Sequence, residues 1–101
     1  MLSGSMEREA KVYVVDDDAL MRDTLASALQ TISLQVELFA SATEFLDAFS
    51  PDYRGCVLLD IQMPEMDGTQ LHDALIERGC QIPIIFITAF GDENGGAKIV
   101  H

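Results

Sequence analysis

A short apolar run that ends on one carboxylate restricts the fold of this chain more than any other feature. Residues 56–59 read Cys-Val-Leu-Leu, and Asp60 follows them directly. A second apolar run, residues 12–15, leads into Asp16, Asp17 and Asp18. Continuously apolar runs of this length are typical of parallel strands that are covered on both faces. Because ligands bind such sheets at the carboxyl ends of the strands, we expect Asp16, Asp17 and Asp60 to meet at one edge.

Strand and helix patterns alternate along the whole chain, which predicts a parallel α/β sheet with helices on both faces. The inward face predicted for the first helix is Met21, Leu25, Ala28, Leu29 and Ile32. The second helix is predicted to begin at a capping box, Ser41 to Glu44, and to end at Ser50-Pro51. The predicted strands cover residues 11–15, 34–39, 56–60 and 84–87, and the first and third helices cover 19–31 and 69–78.

Composition narrows the class of protein. At 101 residues the chain forms one domain at most, and a hydrophobic fraction of 49% favours a packed one. The net charge of -11 argues against direct binding of DNA or RNA, and it suits a metal site or a basic partner. Cys56 and Cys80 are not spaced as a redox or metal pair, so we expect reduced thiols. We find neither a membrane-spanning segment nor a signal peptide in the sequence.

The clustered carboxylates suggest a reaction. Two or three carboxylates with a backbone carbonyl suit Mg²⁺, which prefers oxygen ligands and keeps several waters. Carboxylates that lie close together repel each other, so the pKa of at least one carboxyl group should rise without metal. A carboxylate can also attack phosphorus and form an acyl phosphate. The residues therefore point to phosphoryl transfer onto Asp60 with the help of Mg²⁺.

Four motifs follow one another along the chain: Asp16-Asp17, Asp60, Met63-Pro64 with Asp67-Gly68, and Thr88-Ala89. With these motifs at this spacing, the chain resembles the receiver domain of bacterial two-component response regulators over residues 11–92. It is most similar to the FixJ-like branch, whose members usually carry a LuxR-type output domain.

The resemblance implies a role for each matching residue. Asp60 is the phosphoacceptor, and Thr88 forms a hydrogen bond with the phosphoryl group and acts as the switch. Asp17 and Asp60 bind Mg²⁺ directly, Asp16 acts mainly through water, and the backbone carbonyl of Gln62 adds a ligand. Mn²⁺ can substitute for Mg²⁺.

The resemblance also implies a fold, a partner and a location. The fold is a flavodoxin-like (CheY-like) doubly wound parallel sheet with strand order 2-1-3-4. The phosphoryl donor is a sensor histidine kinase in the cytoplasm, and DNA is contacted only through an output domain. The domain is expected to perform no turnover beyond its own phosphorylation and dephosphorylation. We assign residues 6–101 to the receiver and interpret 1–5, Met-Leu-Ser-Gly-Ser, as an expression remnant.

The sequence departs from the family at its C-terminal end. The family's fifth strand, last helix and phosphate-binding lysine have no counterpart, and Lys98 comes too early to take that role. Residues 84–87 would then lie at a sheet edge, which favours a dimer or an oligomer with exchanged elements. The alternative function is a truncated or degenerate receiver that binds partners without being phosphorylated.

Some single residues allow another interpretation. A phosphatase of the haloacid dehalogenase type needs an aspartate two residues after the nucleophile, where this chain has Gln62. Asp18 is interpreted as a helix N-cap, and Asp67 and Gly68 as turn and helix-start residues. His72 is expected at the surface.

Overall fold

Five strands and three helices are present in the computed structural model, which describes residues 9–87 and the backbone of 97–99. The strands are Ala10–Val15 (β1), Val36–Phe39 (β2), Arg54–Asp60 (β3), Ile84–Ile87 (β4) and Ala97–Ile99 (β5). The helices are Ala19–Gln30 (α1), Ala42–Ala48 (α2) and Gly68–Glu77 (α3). The predicted boundaries agree with these to within two residues for every strand and helix that the sequence predicted.

The strand order is β2-β1-β3-β4-β5. The first four strands are parallel, which confirms the predicted order 2-1-3-4. In the central pair, Val15 of β1 lies beside Leu59 of β3. The residues that follow, Asp16 and Asp60, therefore leave adjacent strands at the same edge of the sheet.

The far side of β4 differs from the prediction. Residues 84–87 do not form a free edge, because β5 pairs antiparallel with β4, placing Ile85 opposite Ile99 and Ile87 opposite Ala97. Strands therefore flank β4 on both sides over residues 85–87. The expectation of a dimer or exchanged oligomer rested on that free edge, and it loses this physical reason.

The principal core lies between the sheet and the helices α2 and α3. Alternate residues of a strand point to the same face, so each strand sends every second apolar side chain into this core. It is built from Tyr13, Val15, Val57, Leu59 and Ile84 of the strands, with Phe45, Leu46, Leu71 and Leu75 of the helices.

An aromatic cluster fills the end of this core next to α2. The rings of Tyr13 and Tyr53 stack in parallel, with centroids 4.4 Å apart and planes inclined by 2°. Phe45, which is fully buried, contacts both tyrosines and meets Phe39 edge to face at 4.9 Å. The Tyr53 hydroxyl donates to the carbonyl of Ala48 at 2.7 Å, which ties the end of α2 to the segment before β3.

Helix α1 is less buried than its sequence predicts. It packs against β1 and β2, yet none of its side chains is fully buried. Met21, Leu25 and Leu29 are half-buried, whereas Ala28 is exposed. Ile32 lies beyond the end of the helix and is 65% exposed, so its assignment to the inward face was wrong. The helix packs near the edge of the sheet, because β2 is an edge strand. Few side chains of other elements therefore cover it.

Both cysteines are free thiols, as expected, and burial raises the pKa of each above its ordinary value. None of the helices within residues 9–87 is long and apolar enough to span a membrane.

Candidate functional site

Three carboxylates meet at the carboxyl ends of the two central strands. Oxygen atoms of Asp16, Asp17 and Asp60 lie within 4.8 Å of one another. Asp16 is 4% exposed and Asp60 is 7% exposed, whereas Asp17 faces solvent. The sequence predicted that these residues would share one edge, and the structure brings all three together.

Asp16 is held by three hydrogen bonds. Its backbone N–H donates to the carbonyl of Phe39 in β2 at 3.1 Å. Its carboxylate oxygen Oδ1 accepts from the backbone N–H of Asp18 at 2.9 Å. Its own carbonyl accepts from the guanidinium Nη1 of Arg22 at 2.7 Å. The residue is therefore fixed in both its main chain and its side chain.

Arg22 was not singled out from the sequence. The signal that was available is compositional, since the chain has only 6 Lys and Arg residues and one of them closely follows the aspartate run. Its contact with a backbone carbonyl, however, cannot be inferred from residue types. That contact depends on how α1 leaves the sheet.

Asp60 has a carboxyl group whose pKa is raised by its surroundings. Its Oδ1 accepts from the backbone N–H of Gln62 at 3.1 Å, which favours the ionised form. Burial outweighs this bond and, with the neighbouring Asp16 and Asp17, raises the pKa of Asp60 from 3.8 to about 6. Repelling carboxylates that are partly desolvated form a donor set that a cation would stabilise. The residues therefore fit Mg²⁺.

The loop after Asp60 is shaped by a close approach between β3 and α3. The backbone N–H of Gly68 donates to the carbonyl of Ile61 at 2.9 Å. A Cβ atom on Gly68 would lie 2.5 Å from the carbonyl oxygen of Asp60, closer than real Cβ contacts allow. Glycine at this position allows the first turn of α3 to lie against the chain at Asp60.

A tight turn lies within the same loop. The Met66 N–H donates to the Pro64 carbonyl at 2.8 Å across Glu65, whose φ is 72°. This combination is typical of a γ-turn. Asp67 then caps α3, accepting from the Gln70 N–H at 2.9 Å, while the Gln70 side chain accepts from the Asp67 N–H. The interpretation of Asp67 as a helix-start residue agrees with these bonds.

Gln62 and Thr88 are the other two predicted site residues. Gln62 is exposed, and its N–H binds Asp60, while the metal-ligand role of its carbonyl stays a prediction. Thr88 lies outside the described residues, so its role as the switch also stays a prediction. Ile87, which precedes Thr88 in the sequence, pairs with Asp60 across β3 and β4.

Asp18 and His72 are the other two residues whose place the sequence predicted. Asp18 is the N-cap of α1 and accepts from the N–H groups of Leu20 and Met21 at 2.9 and 3.4 Å, as expected. His72, which was expected at the surface, has a side chain only 20% exposed. Its ring packs against Phe86 of β4 at a centroid distance of 5.8 Å. The helical pattern of α3 alone could not reveal this aromatic neighbour.

The chain matches the family model described as "Response regulator receiver domain" over residues 12–100. Among curated relatives, it is 51% identical over 89 residues to the transcriptional regulatory protein TdiR of Thauera aromatica, covering 88% of this chain and 39% of TdiR. It is 39% identical over 87 residues to the transcriptional regulatory protein FixJ of Azorhizobium caulinodans, covering 86% of this chain and 41% of FixJ. The chain thus spans about two-fifths of the length of these relatives.

Solved structures give the same assignment. The response regulator StyR superposes with a TM-score of 0.79 at 41% identity, over 84% of this chain and 43% of the StyR chain. FixJ-N superposes with a TM-score of 0.74 at 38% identity, over 84% of this chain and 68% of that one. With the sheet order, the carboxylate cluster and these similarities in agreement, the chain belongs to the response regulator receiver domain family.

Proposed function

We propose that this domain accepts a phosphoryl group on Asp60 from a histidine kinase, with Mg²⁺ bound beside it. The observation that carries the proposal is the buried Asp60 carboxylate, which shares a 4.8 Å cluster with Asp16 and Asp17. Membership in the receiver family supports the role of Asp60 as the acceptor, since phosphorylation of the receiver domain is typical of that family.

In the proposed reaction, an ionised oxygen of Asp60 attacks the phosphorus atom of a phosphohistidine. An oxygen–phosphorus bond forms, the phosphorus–nitrogen bond breaks, and its electron pair stays on the imidazole nitrogen. With its pKa near 6, Asp60 is mostly ionised at neutral pH and available for attack. The N–H of Gln62 holds one carboxylate oxygen and so limits rotation of the nucleophile.

Asp16, Asp17 and Asp60 would hold the metal ion, with the Gln62 carbonyl as a further ligand. The bound ion would supply positive charge that offsets repulsion between the carboxylates and the phosphoryl oxygens. The two buried members, Asp16 and Asp60, are pre-set by backbone N–H donors at 2.9 and 3.1 Å. Asp17 faces solvent, where it can meet an arriving hydrated ion.

The wider role is inferred from the relatives. TdiR and FixJ are described as transcriptional regulatory proteins, so we propose that phosphorylation here controls transcription. With a net charge of -11, this domain is a poor DNA ligand, and DNA contact would belong to an output domain. We propose a cytoplasmic location, and no turnover beyond phosphorylation and dephosphorylation of Asp60.

Intact mass after incubation with acetyl phosphate and Mg²⁺ tests the proposal. The wild-type chain should gain one phosphoryl group, and Asp60→Asn should gain none. Asp73→Asn, which removes an exposed carboxylate of α3 away from the cluster, should behave as the wild type. An adduct that persists in Asp60→Asn would place the phosphoacceptor elsewhere. A folded wild type that binds Mg²⁺ but takes no phosphoryl group would favour the non-phosphorylated interaction module.

A further inference from the structure

We propose that Arg22 is a positioning residue that fixes the segment between β1 and α1, so that Asp16 and Asp17 present their carboxylates to the cation. The inference rests on the proposed function for the identity of the cation. It concerns a residue outside the proposed set of metal ligands.

Arg22 joins both ends of this segment. Its backbone N–H donates to the Asp18 carbonyl at 3.0 Å, which is the first main-chain bond of α1. Its guanidinium donates to the Asp16 carbonyl at 2.7 Å, a short, charge-assisted hydrogen bond. Arg22 thus links Asp16, which directly follows β1, to the first turn of α1. Asp17 lies between the two residues that Arg22 contacts.

Asp17 depends on these backbone contacts. Its side chain faces solvent, and among the described residues we find no hydrogen bond to its carboxylate. The carbonyl that Arg22 holds belongs to the peptide unit joining Asp16 to Asp17. Fixing that peptide plane limits the directions in which the Asp17 side chain can point.

The charge of Arg22 and its positioning effect change the affinity for the cation in opposite directions. A guanidinium near a cation site repels the cation, so losing the charge alone would strengthen cation binding. Losing the hydrogen bond would weaken binding, because the carboxylates would no longer be held in place. The direction of the change on mutation therefore distinguishes positioning from simple electrostatics.

Calorimetric titration with Mn²⁺ on the full chain measures that direction. Arg22→Met should weaken Mn²⁺ binding by about tenfold, the lower end of what orienting contacts around metal ligands contribute. Arg22→Lys, which keeps a donor and the charge, should recover part of the affinity. Unchanged or tighter binding in Arg22→Met would overturn the proposal.

Arg78 offers a matched control. Its guanidinium also donates to a backbone carbonyl, that of Leu46, at 3.1 Å, but it links α3 to α2 away from the carboxylates. Arg78→Met should lose a comparable hydrogen bond and leave Mn²⁺ affinity unchanged. If Arg78→Met weakens binding as much as Arg22→Met does, the effect is one of general stability and the proposal fails.

A metal-free measurement separates this inference from the proposed function. The Asp18 N–H donates to Asp16 Oδ1, so its hydrogen exchange reports order in the segment. In EDTA, Arg22→Met should exchange this amide about tenfold faster than wild type and Arg78→Met, as expected for local opening. Equal rates would overturn the positioning role. If the wild type binds no Mn²⁺ but Arg22→Met still exchanges this amide faster, the metal site is refuted and the positioning role is retained.

Discussion

The three aspartates of the site differ in how much water they keep. Asp16 and Asp60 are nearly buried, and both accept backbone N–H groups that partly replace the lost water. Asp17 keeps its hydration. Burial of like charges that lie within 4.8 Å of one another destabilises the metal-free fold, and this destabilisation should appear as a pH dependence of stability.

That pH dependence has a definite sign for Asp60. The folded-state pKa of about 6 lies above the ordinary 3.8, so the folded chain binds this proton more tightly than the unfolded chain does. The contribution of Asp60 is fully present below pH 3.8 and is lost as the pH rises through about 6. Relative to Asp60→Asn, metal-free wild type should lose about 2 kcal/mol of unfolding free energy over this interval.

Urea unfolding in EDTA at several pH values measures the difference between wild type and Asp60→Asn. Other carboxyl groups titrate in both proteins, so only the difference between the two curves reports on Asp60. Added Mg²⁺ should reduce the difference at neutral pH. Parallel curves would mean that the carboxyl group of Asp60 is not perturbed in the folded chain.

At this scale, the sequence predicted which residues meet but not what holds them. Asp16, Asp17 and Asp60 were predictable, because parallel strands deliver their C-terminal residues to one edge. The bond from Arg22 to the Asp16 carbonyl was not, because it depends on the angle between α1 and β1. The contact between His72 and Phe86 was missed for a similar reason, since it joins residues on different elements.

Among the elements, helix starts were the most predictable features. Ser41 and Glu44 were expected to form a reciprocal capping box. The Ser41 hydroxyl does accept from the Glu44 N–H at 3.0 Å, but the Glu44 carboxylate accepts from the N–H of Ala40 instead of Ser41. Local sequence determines such caps, because donor and acceptor lie within four residues of each other.

Replacing the cap of α2 should lower stability without changing the site. Ser41→Ala should reduce the free energy of unfolding by about 1 kcal/mol, since the Glu44 N–H loses its acceptor. Ser41→Asn should stay close to wild type, because asparagine is an equally good N-cap. Urea denaturation measures both, and equal losses in the two variants would contradict the capping explanation.

The start of α3 depends on packing that the sequence did not show. Gly68→Ala would place a methyl group 2.5 Å from the Asp60 carbonyl oxygen and 2.9 Å from Ile61 Cα. Both neighbours are backbone, so α3 or the end of β3 must shift. We expect a loss of about 2 kcal/mol in unfolding free energy and weaker phosphorylation of Asp60.

Gly79 provides the contrast for that prediction. It follows Arg78, the C-cap of α3, with a φ of 88°, and a Cβ there would meet no atom within 4 Å. Gly79→Asn should therefore be tolerated, because asparagine accepts left-handed backbone more readily than most residues. If Gly68→Ala proves as mild as Gly79→Asn in both stability and phosphorylation, the close approach of α3 is not a constraint on the site.

For the molecule as a whole, the excess of negative charge lowers the stability of the folded state. With 17 acidic and 6 basic residues, the folded chain repels itself at neutral pH. Screening by salt should relieve part of this repulsion. We expect the melting temperature at pH 7 to rise by a few degrees between low salt and about 0.2 M NaCl, where the Debye length falls below roughly 10 Å.

The same titration near the isoelectric point is the control. The isoelectric point of the sequence is about 4.2, so near this pH the net charge is small and the salt dependence should largely vanish. An equal rise at both pH values would assign the effect to salt acting on apolar surface instead of charge. EDTA must be present, because a divalent ion would act through the aspartate cluster as well.

The stacked tyrosines give this chain an optical signature. Tyr13 and Tyr53 are its only tyrosines, it has no tryptophan, and the two rings lie parallel at 4.4 Å. Their transition dipoles are close enough to couple, so near-ultraviolet circular dichroism in the tyrosine band reports one contact between β1 and the segment before β3. Loss of that band while the helical signal persists would reveal a state with secondary structure and loosened packing. No label has to be attached to observe it.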